Sequence, residues 1–354
     1  MIMFGLYARS TAVALFGVAL LAAPAAKAES LDAIYAKAKA EKTLVFYAGG
    51  PTAPWEAAAK LFSERYPGIA VSITGGFSNV LDVKIDQQLK DKKLETDLAI
   101  FQTVQDFVRW KKAGVLLDFK PDGWSKIAAP FKDKDGAFVG VAVNGHPYAY
   151  NSEKLKPGDA PKSALDFLKP EFRGKLVTCY PQDDDATLYT FNTITQKYGW
   201  KYWDDYMANQ PNFIQGHLGV VRAISAGNDL VTLDTVASMS LGEKAAGKPH
   251  AITISSVDPL PIWPLTAGIF KDAAHPNAAK LFLTWYLEKE QQATLLGTWS
   301  VRSDVPPPDG LKPLSAIKTV NSYRNFLTNE KQLVALRERF AKMVGPIKNA
   351  GGVR

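Results

Sequence analysis

Thr43-Leu-Val-Phe-Tyr-Ala-Gly-Gly-Pro51 decides how the chain is read. Six residues of strand-forming, mostly apolar character end abruptly at two glycines and a proline. A helical pattern follows from Thr52 to Tyr66, with Trp55, Ala59, Phe62 and Tyr66 on one face. Pro67-Gly68 stops it, and the same phrase repeats. Ile69 to Thr74 predicts a strand, Gly75-Gly76 a turn, and Asn79 to Lys90 a helix striped by Leu81, Ile85 and Leu89. Asp97 to Phe101 is a third strand, before a helix from Val104 to Lys112. Strand, glycine turn and helix, three times over, specify a parallel α/β sheet covered on both faces. The handedness of such units puts the loops after the strands along one sheet edge, where ligands bind. Those loops hold Gly49, Gly50 and Thr52; Gly75, Gly76, Ser78 and Asn79; and Gln102 with Thr103.

Upstream, Ser30 to Ala40 predicts a short helix. Before it, Arg9 leads an apolar stretch from Thr11 to Ala23, and Ala26-Lys27-Ala28 offers the small residues of a signal-peptidase site. Residues 1–28 are therefore expected to be a signal peptide, giving a periplasmic protein. The single cysteine, Cys179, excludes an intrachain disulfide and lies far from the expected cut. Over 354 residues, 47% apolar content and 22% charged residues exclude a disordered chain and allow two domains with their own cores. The net charge of +7 comes from interspersed residues and forms no nucleic-acid track.

A second rhythm starts near residue 137. Ala137 to Val143 and Tyr148 to Asn151 are extended, and a new α/β unit follows: strands at Lys175 to Tyr180, Leu230 to Leu233 and Ala251 to Ser255, helices at Ala186 to Tyr198, Val220 to Ala226 and Val236 to Ala246. Leu265 to Phe270 returns as a strand before a long helix after His275-Pro276, and the tail is helical. We read this as domain 1 (29–142 plus 260–354) and domain 2 (143–259), joined by two crossing stretches that hinge a cleft.

Particular strings carry a family likeness. Val45-Phe-Tyr-Ala-Gly-Gly50, Asp97-Leu-Ala-Ile-Phe-Gln102 and Lys112-Ala-Gly-Val-Leu-Leu-Asp118 resemble type II bacterial solute-binding proteins. Ala273 to Leu287, Glu290-Gln-Gln, and Ser300-Val-Arg-Ser-Asp304 resemble the branch that includes the ferric-ion-binding proteins of ABC importers. The resemblance implies a two-lobed α/β fold that closes on a small-molecule solute and delivers it to a membrane permease with its ATPase. It implies no catalysis and no cofactor, and we expect a monomer with no nucleic-acid partner. Iron-binding members use two adjacent tyrosines in domain 2; the matching stretch here, Thr232-Leu-Asp-Thr-Val-Ala237, has none. Ferric iron is a hard cation that needs anionic oxygen donors, and Asp234 supplies one carboxylate. The main expectation is therefore an organic or oxyanionic solute, with ferric ion of the same fold as the alternative. A secreted enzyme of unknown reaction is a further alternative, weakened by the lack of Gly-x-Ser-x-Gly, a P-loop or a dinucleotide fingerprint.

Candidate solute contacts start with the glycine loops, whose backbone N–H groups suit an anion, although the glycines equally serve tight turns. Ser78, Asn79 and Thr52 double as helix caps. In domain 2 the candidates are Asp183 and Asp184 of the Asp183-Asp-Asp185 run, which also suits a helix start, and Asp234 with Thr235. At the crossings they are His146, Tyr148 and Trp263, with Tyr150 an aromatic neighbour. Arg302 is placed for a bidentate carboxylate contact or a surface ion pair. Of four histidines, His146, His217, His250 and His275, none lies within four residues of another, so no zinc motif is local and no metal ligands are assigned. Cys179 reads as core.

Overall fold

The computed structural model describes Met1 and residues 30–348. The expected signal segment and the last residues lie outside that range. The first unit is α1 (Leu31–Glu41), β1 (Thr43–Gly49), α2 (Ala53–Arg65), β2 (Ala70–Gly76), α3 (Ser78–Lys90), β3 (Leu98–Phe101) and α4 (Val104–Lys112). Then come β4 (Val139–Gly145), β5 (Tyr148–Asn151), β6 (Val177–Cys179), α5 (Asp185–Tyr198), α6 (Lys201–Ala208) and β7 (Asn212–Ile214). Next are α7 (His217–Ala226), β8 (Val231–Thr232), α8 (Ala237–Ala245), β9 (His250–Thr253) and β10 (Ile262–Ile269). Four helices close the chain: α9 (Pro276–Tyr286), α10 (Lys289–Thr294), α11 (Ser322–Leu327) and α12 (Glu330–Val344).

Local chemistry sets these limits. Ser30 caps α1 by accepting from the Ala33 N–H at 3.3 Å, and Lys42 ends it in the left-handed region at φ 64°. Pro54 sits in the first turn of α2, where a missing N–H costs nothing. Asp184 caps α5 by accepting from the Ala186 and Thr187 N–H groups, both at 2.9 Å.

The first sheet has the order β2-β1-β3-β10-β4, with β1 parallel to β2 and β3, and β10 antiparallel to both its neighbours. In the second lobe β6 pairs in parallel with β7, and β5 lies between β8 and β9, antiparallel to both. A parallel bridge between Leu176 and Val231 joins these two pieces. The spatial order is thus β7-β6-β8-β5-β9, the same plan as the first sheet. In each lobe three consecutive parallel strands are followed by an edge strand that leaves for the other lobe. The antiparallel strand beside it is the one that arrives from there. The crossings are accordingly β4 to β5, through His146-Pro147 alone, and β9 to β10, through residues 254–261.

Two aromatic-rich cores hold the lobes. In the first, Phe282 of α9 packs against Phe46 and Phe62 at 5.2 and 5.3 Å between ring centres. In the second, Phe191 stacks on Trp203 at 4.0 Å, and Phe340 of α12 meets both rings edge-on. The aromatic cluster after Trp200 therefore serves packing. α11 lies between α4 and α5, so the C-terminal helices brace both lobes.

Candidate functional site

The helices of the two lobes start facing one another. Contacts cross between them: Asn79 Nδ2 donates to the Asp183 carbonyl at 3.3 Å, Gln105 Nε2 to Asp185 at 2.7 Å, and the Ser238 N–H to Asn144 at 3.2 Å. Arg337 of α12 also donates to Asp185.

Deep at the crossing lies a charged cluster. Asp234, just past β8, is 0% exposed. Its Oδ2 accepts from Thr187 Oγ1 at 2.9 Å, from Thr178 Oγ1 at 3.1 Å and from the Cys179 N–H at 3.1 Å. Its Oδ1 faces His146 Nδ1 at 2.9 Å and His217 Nε2 at 3.2 Å. His146 comes from the link between β4 and β5, and His217 is the first residue of α7, after Gly216 at φ 83°. Trp263 of β10 lies edge-on to the His146 ring at 4.2 Å, and the two imidazoles are 4.8 Å apart. Asp184 approaches the other side of His217, Oδ2 to Nδ1 at 3.6 Å.

Burial alone would push the Asp234 carboxyl up, but His146 and His217, by charge and hydrogen bond, hold it well below the usual carboxylate range. Burial pushes the His146 imidazole down against the pull of Asp234. Burial also works against a charged His217, yet Cys179, Asp234 and Asp184 together raise its pKa well above the ordinary value. Burial pushes the Cys179 thiol itself up to about 12, so near neutral pH it is uncharged and the upward pull on His217 comes from Asp234 and Asp184. Asp234 and His217 are thus drawn toward their charged forms and His146 toward its neutral form.

His146, His217 and Asp234 each offer a ligand atom, and these atoms lie within 4.8 Å of one another. Metal bonds of about 2.0–2.2 Å separate neighbouring donors by roughly 3 Å, the spacing of Asp234 Oδ1 from each imidazole nitrogen. The three donors bound to Oδ2 fix the carboxylate's orientation, as outer partners of metal ligands do. His146 Nε2 is buried without a hydrogen-bond partner.

The sequence candidates distribute as follows. His146, Trp263, Asp234 and Asp184 converge on this cluster. Thr235 bonds Ser240 at 2.6 Å, one step away. Asp183 accepts from Gln215 at 2.7 Å, and Asn79 reaches its carbonyl across the lobes. Ser78 is the first residue of α3, not its cap, and donates to Gln102 at 2.9 Å. Thr52 occupies the cap position of α2 without a side-chain capping bond, and Thr103 that of α4. Gly49 and Gly75 are required by packing: an added Cβ would lie 2.3 Å from Ser78 Oγ in the first case and 2.8 Å from the Gly50 carbonyl in the second. Gly50 turns the chain at φ 91°, and its N–H donates to the Gly76 carbonyl at 2.7 Å. Tyr148 is turned away into a network on Asp258, at 2.7 Å. Arg302 is committed to Asp304, bidentate at 2.9 Å, and to the Leu287 carbonyl. His217, Thr187 and Thr178 are the members the sequence did not single out.

A family model described as bacterial extracellular solute-binding protein matches residues 57–319. The Fe(3+)-binding periplasmic protein of Serratia marcescens is 22% identical over 177 residues, 48% of this chain; the match spans about half of that relative, 52%. Among solved structures, iron-bound HitA from Pseudomonas aeruginosa superposes with a TM-score of 0.67 at 19% identity, covering 84% of this chain and 99% of that one. AfuA from Actinobacillus pleuropneumoniae, solved with fructose-6-phosphate, gives a TM-score of 0.72 at 19% identity, covering 86% and 99%. The two-lobed architecture is thus that of the type II binding proteins, with a His/His/Asp set in place of paired tyrosines. With three quarters of its length matched, the chain belongs to the bacterial extracellular solute-binding proteins, a periplasmic, non-catalytic class of transport receptors.

Proposed function

We propose that this receptor carries a transition-metal cation, ferric ion foremost, to the permease and ATPase of an ABC importer. The observation behind this is the buried cluster of His146, His217 and Asp234, with ligand atoms within 4.8 Å of one another. Two imidazoles and a carboxylate suit iron-type cations better than calcium or magnesium, which prefer all-oxygen shells. The iron-binding relatives support the same cargo. It replaces the organic solute expected from the missing tyrosines: that expectation weighed only residues 232–237, whereas two of the three donors come from elsewhere in the chain.

Closure is the mechanism. The lobe built on β1 to β4 and β10 rotates against the lobe built on β5 to β9, about the two crossings. The open form admits the cation, and closure removes water from the donors, which strengthens each contact. Metal entry displaces the proton of His217, so uptake releases a proton.

The test is metal analysis and native mass spectrometry of the gently purified protein, followed by titration with ferric citrate. One iron per chain, lost in Asp234→Asn, is the expected result. A purely organic bound mass, or iron binding indifferent to Asp234→Asn, would overturn it.

A second reading rests on the cationic His217 at the start of α7. An imidazolium at a helix N-terminus favours an anion, and AfuA shows that this fold accepts a sugar phosphate. Stabilisation by fructose-6-phosphate but not by iron would select this reading.

A further inference from the structure

On another face of α5 from Thr187 and Thr190, which bond Asp234 and His146, a cavity of about 520 Å³ opens between α5 and the C-terminal helices. Its walls are two facing helical stripes. Tyr189, Asn192, Thr193, Gln196 and Lys197 recur at three- and four-residue spacing on α5. Ser322, Asn325, Phe326, Asn329 and Gln332 do the same along α11 and into α12. Pro259, from the second crossing, closes one end.

The chemistry of this lining is specific. Five carboxamides face the space, each a donor and an acceptor at once. Among the described residues no carboxylate lines it, and the one cation that does, Lys197, is already paired with Asp258 at 2.6 Å. Gln332 accepts from Asn329 Nδ2 at 3.1 Å and reaches Asn192 at 3.5 Å, while the exposed side chains of Gln196 and Asn325 have no hydrogen-bond partner among the described residues. The floor is aromatic, Tyr189 and Phe326 lying 5.2 Å apart, and the Tyr189 hydroxyl is buried without an acceptor.

We infer that this cavity is a second binding site, for a neutral polyhydroxylated molecule of mono- or disaccharide size. Such a ligand presents hydroxyls that give and accept hydrogen bonds in alternation, which matches the carboxamides, and a C–H face that matches the rings. Its size falls in the range of small-molecule pockets. An ion finds no uncompensated charge here, and an apolar ligand would leave the carboxamides unsatisfied. His146, His217 and Asp234 are not among its lining residues.

The purified chain should be titrated with glucose and with sucrose by calorimetry, alongside Asp234→Asn and the double variant Asn325→Ala/Gln332→Ala. Both substituted carboxamides are solvent-accessible, so thermal unfolding should match the parent and report any misfolding. Saturable binding of one sugar, retained in Asp234→Asn and weakened about tenfold or more in the double variant, is expected. Absence of saturable binding for both sugars up to roughly 50 mM, or binding unchanged by the double variant, would overturn the assignment.

Discussion

Asp234 Oδ1 and His217 Nε2 meet at 3.2 Å, with the carboxylate fully buried and the imidazole nearly so. The pair comes from the end of β8 and the start of α7, and Asp184 of α5 adds a second negative charge behind it. His217 should therefore stay protonated well above neutrality. Its imidazole nitrogens, followed by NMR through a pH series without metal, should show an imidazolium at pH 8. Because the folded value is raised, its stabilising contribution is complete below the ordinary value of 6.5 and disappears as pH climbs through the folded pKa.

Asp234→Asn removes the only carboxylate that both imidazoles share. Breaking one side of a buried pair costs about 3–5 kcal/mol. Urea denaturation should register a loss in that range, and the His217 pKa should fall. Should stability and the His217 titration both remain at the parental level, the electrostatic account of the cluster fails.

Metal uptake should become tighter as pH rises from 6 to 8, by up to about tenfold per unit while His217 must give up its proton. Calorimetry of ferric citrate in buffers of different ionisation heat would count the protons released. Uptake with no proton release would place the metal away from His217.

His250 provides an acid-side prediction separate from the site. It bonds Ser225 at 3.1 Å and Ser240 at 2.9 Å, and burial pushes it down to about 4. The unfolded chain then takes up a proton near pH 6.5 that the folded chain refuses, so stability falls as pH drops from about 6.5 to about 4. The loss is on the order of 3 kcal/mol. His250→Gln should flatten that limb relative to the parent between pH 7 and 4.5. Parallel curves would show that His250 is not what titrates.

Gly75→Ala tests the tight approach of the β2 loop to α2. The new Cβ would lie 2.8 Å from the Gly50 carbonyl and 2.6 Å from a Thr52 methyl. Backbone cannot yield as a flexible side chain can, so a cost of about 1–3 kcal/mol is expected in thermal unfolding. An unchanged midpoint would mean the loop has slack.

Much of the architecture was legible because its period is strong. The expected helix from Val104 to Lys112 matches α4, and the glycine-punctuated strands fall within two residues of β1, β2 and β3. The metal-donor set was not legible, for a definite reason. Periodicity from Val220 placed the start of α7 three residues late, leaving His217 in a loop, whereas the helix begins at His217 itself. Gly219 weakens the helical pattern there, yet its lack of a Cβ is what admits Ile214, 2.6 Å from where one would stand. His217 and Asp234 lie 17 residues apart in one lobe, and His146 joins them only through the crossing between β4 and β5. Arg302 was misleading for the opposite reason: its local partner, Asp304, takes Nε and one Nη, and the Leu287 carbonyl takes the other.

The shorter crossing consists of His146 and Pro147 alone, and one of those two residues is a member of the donor cluster. A pivot that is also a claw allows no separation between movement and grip. Were the lobes to swing apart as proposed, the same twist of the backbone would carry the His146 ring off its partners. Under the proposed closure, unloading would need no separate trigger: whatever opened the lobes would also break the hold of His146.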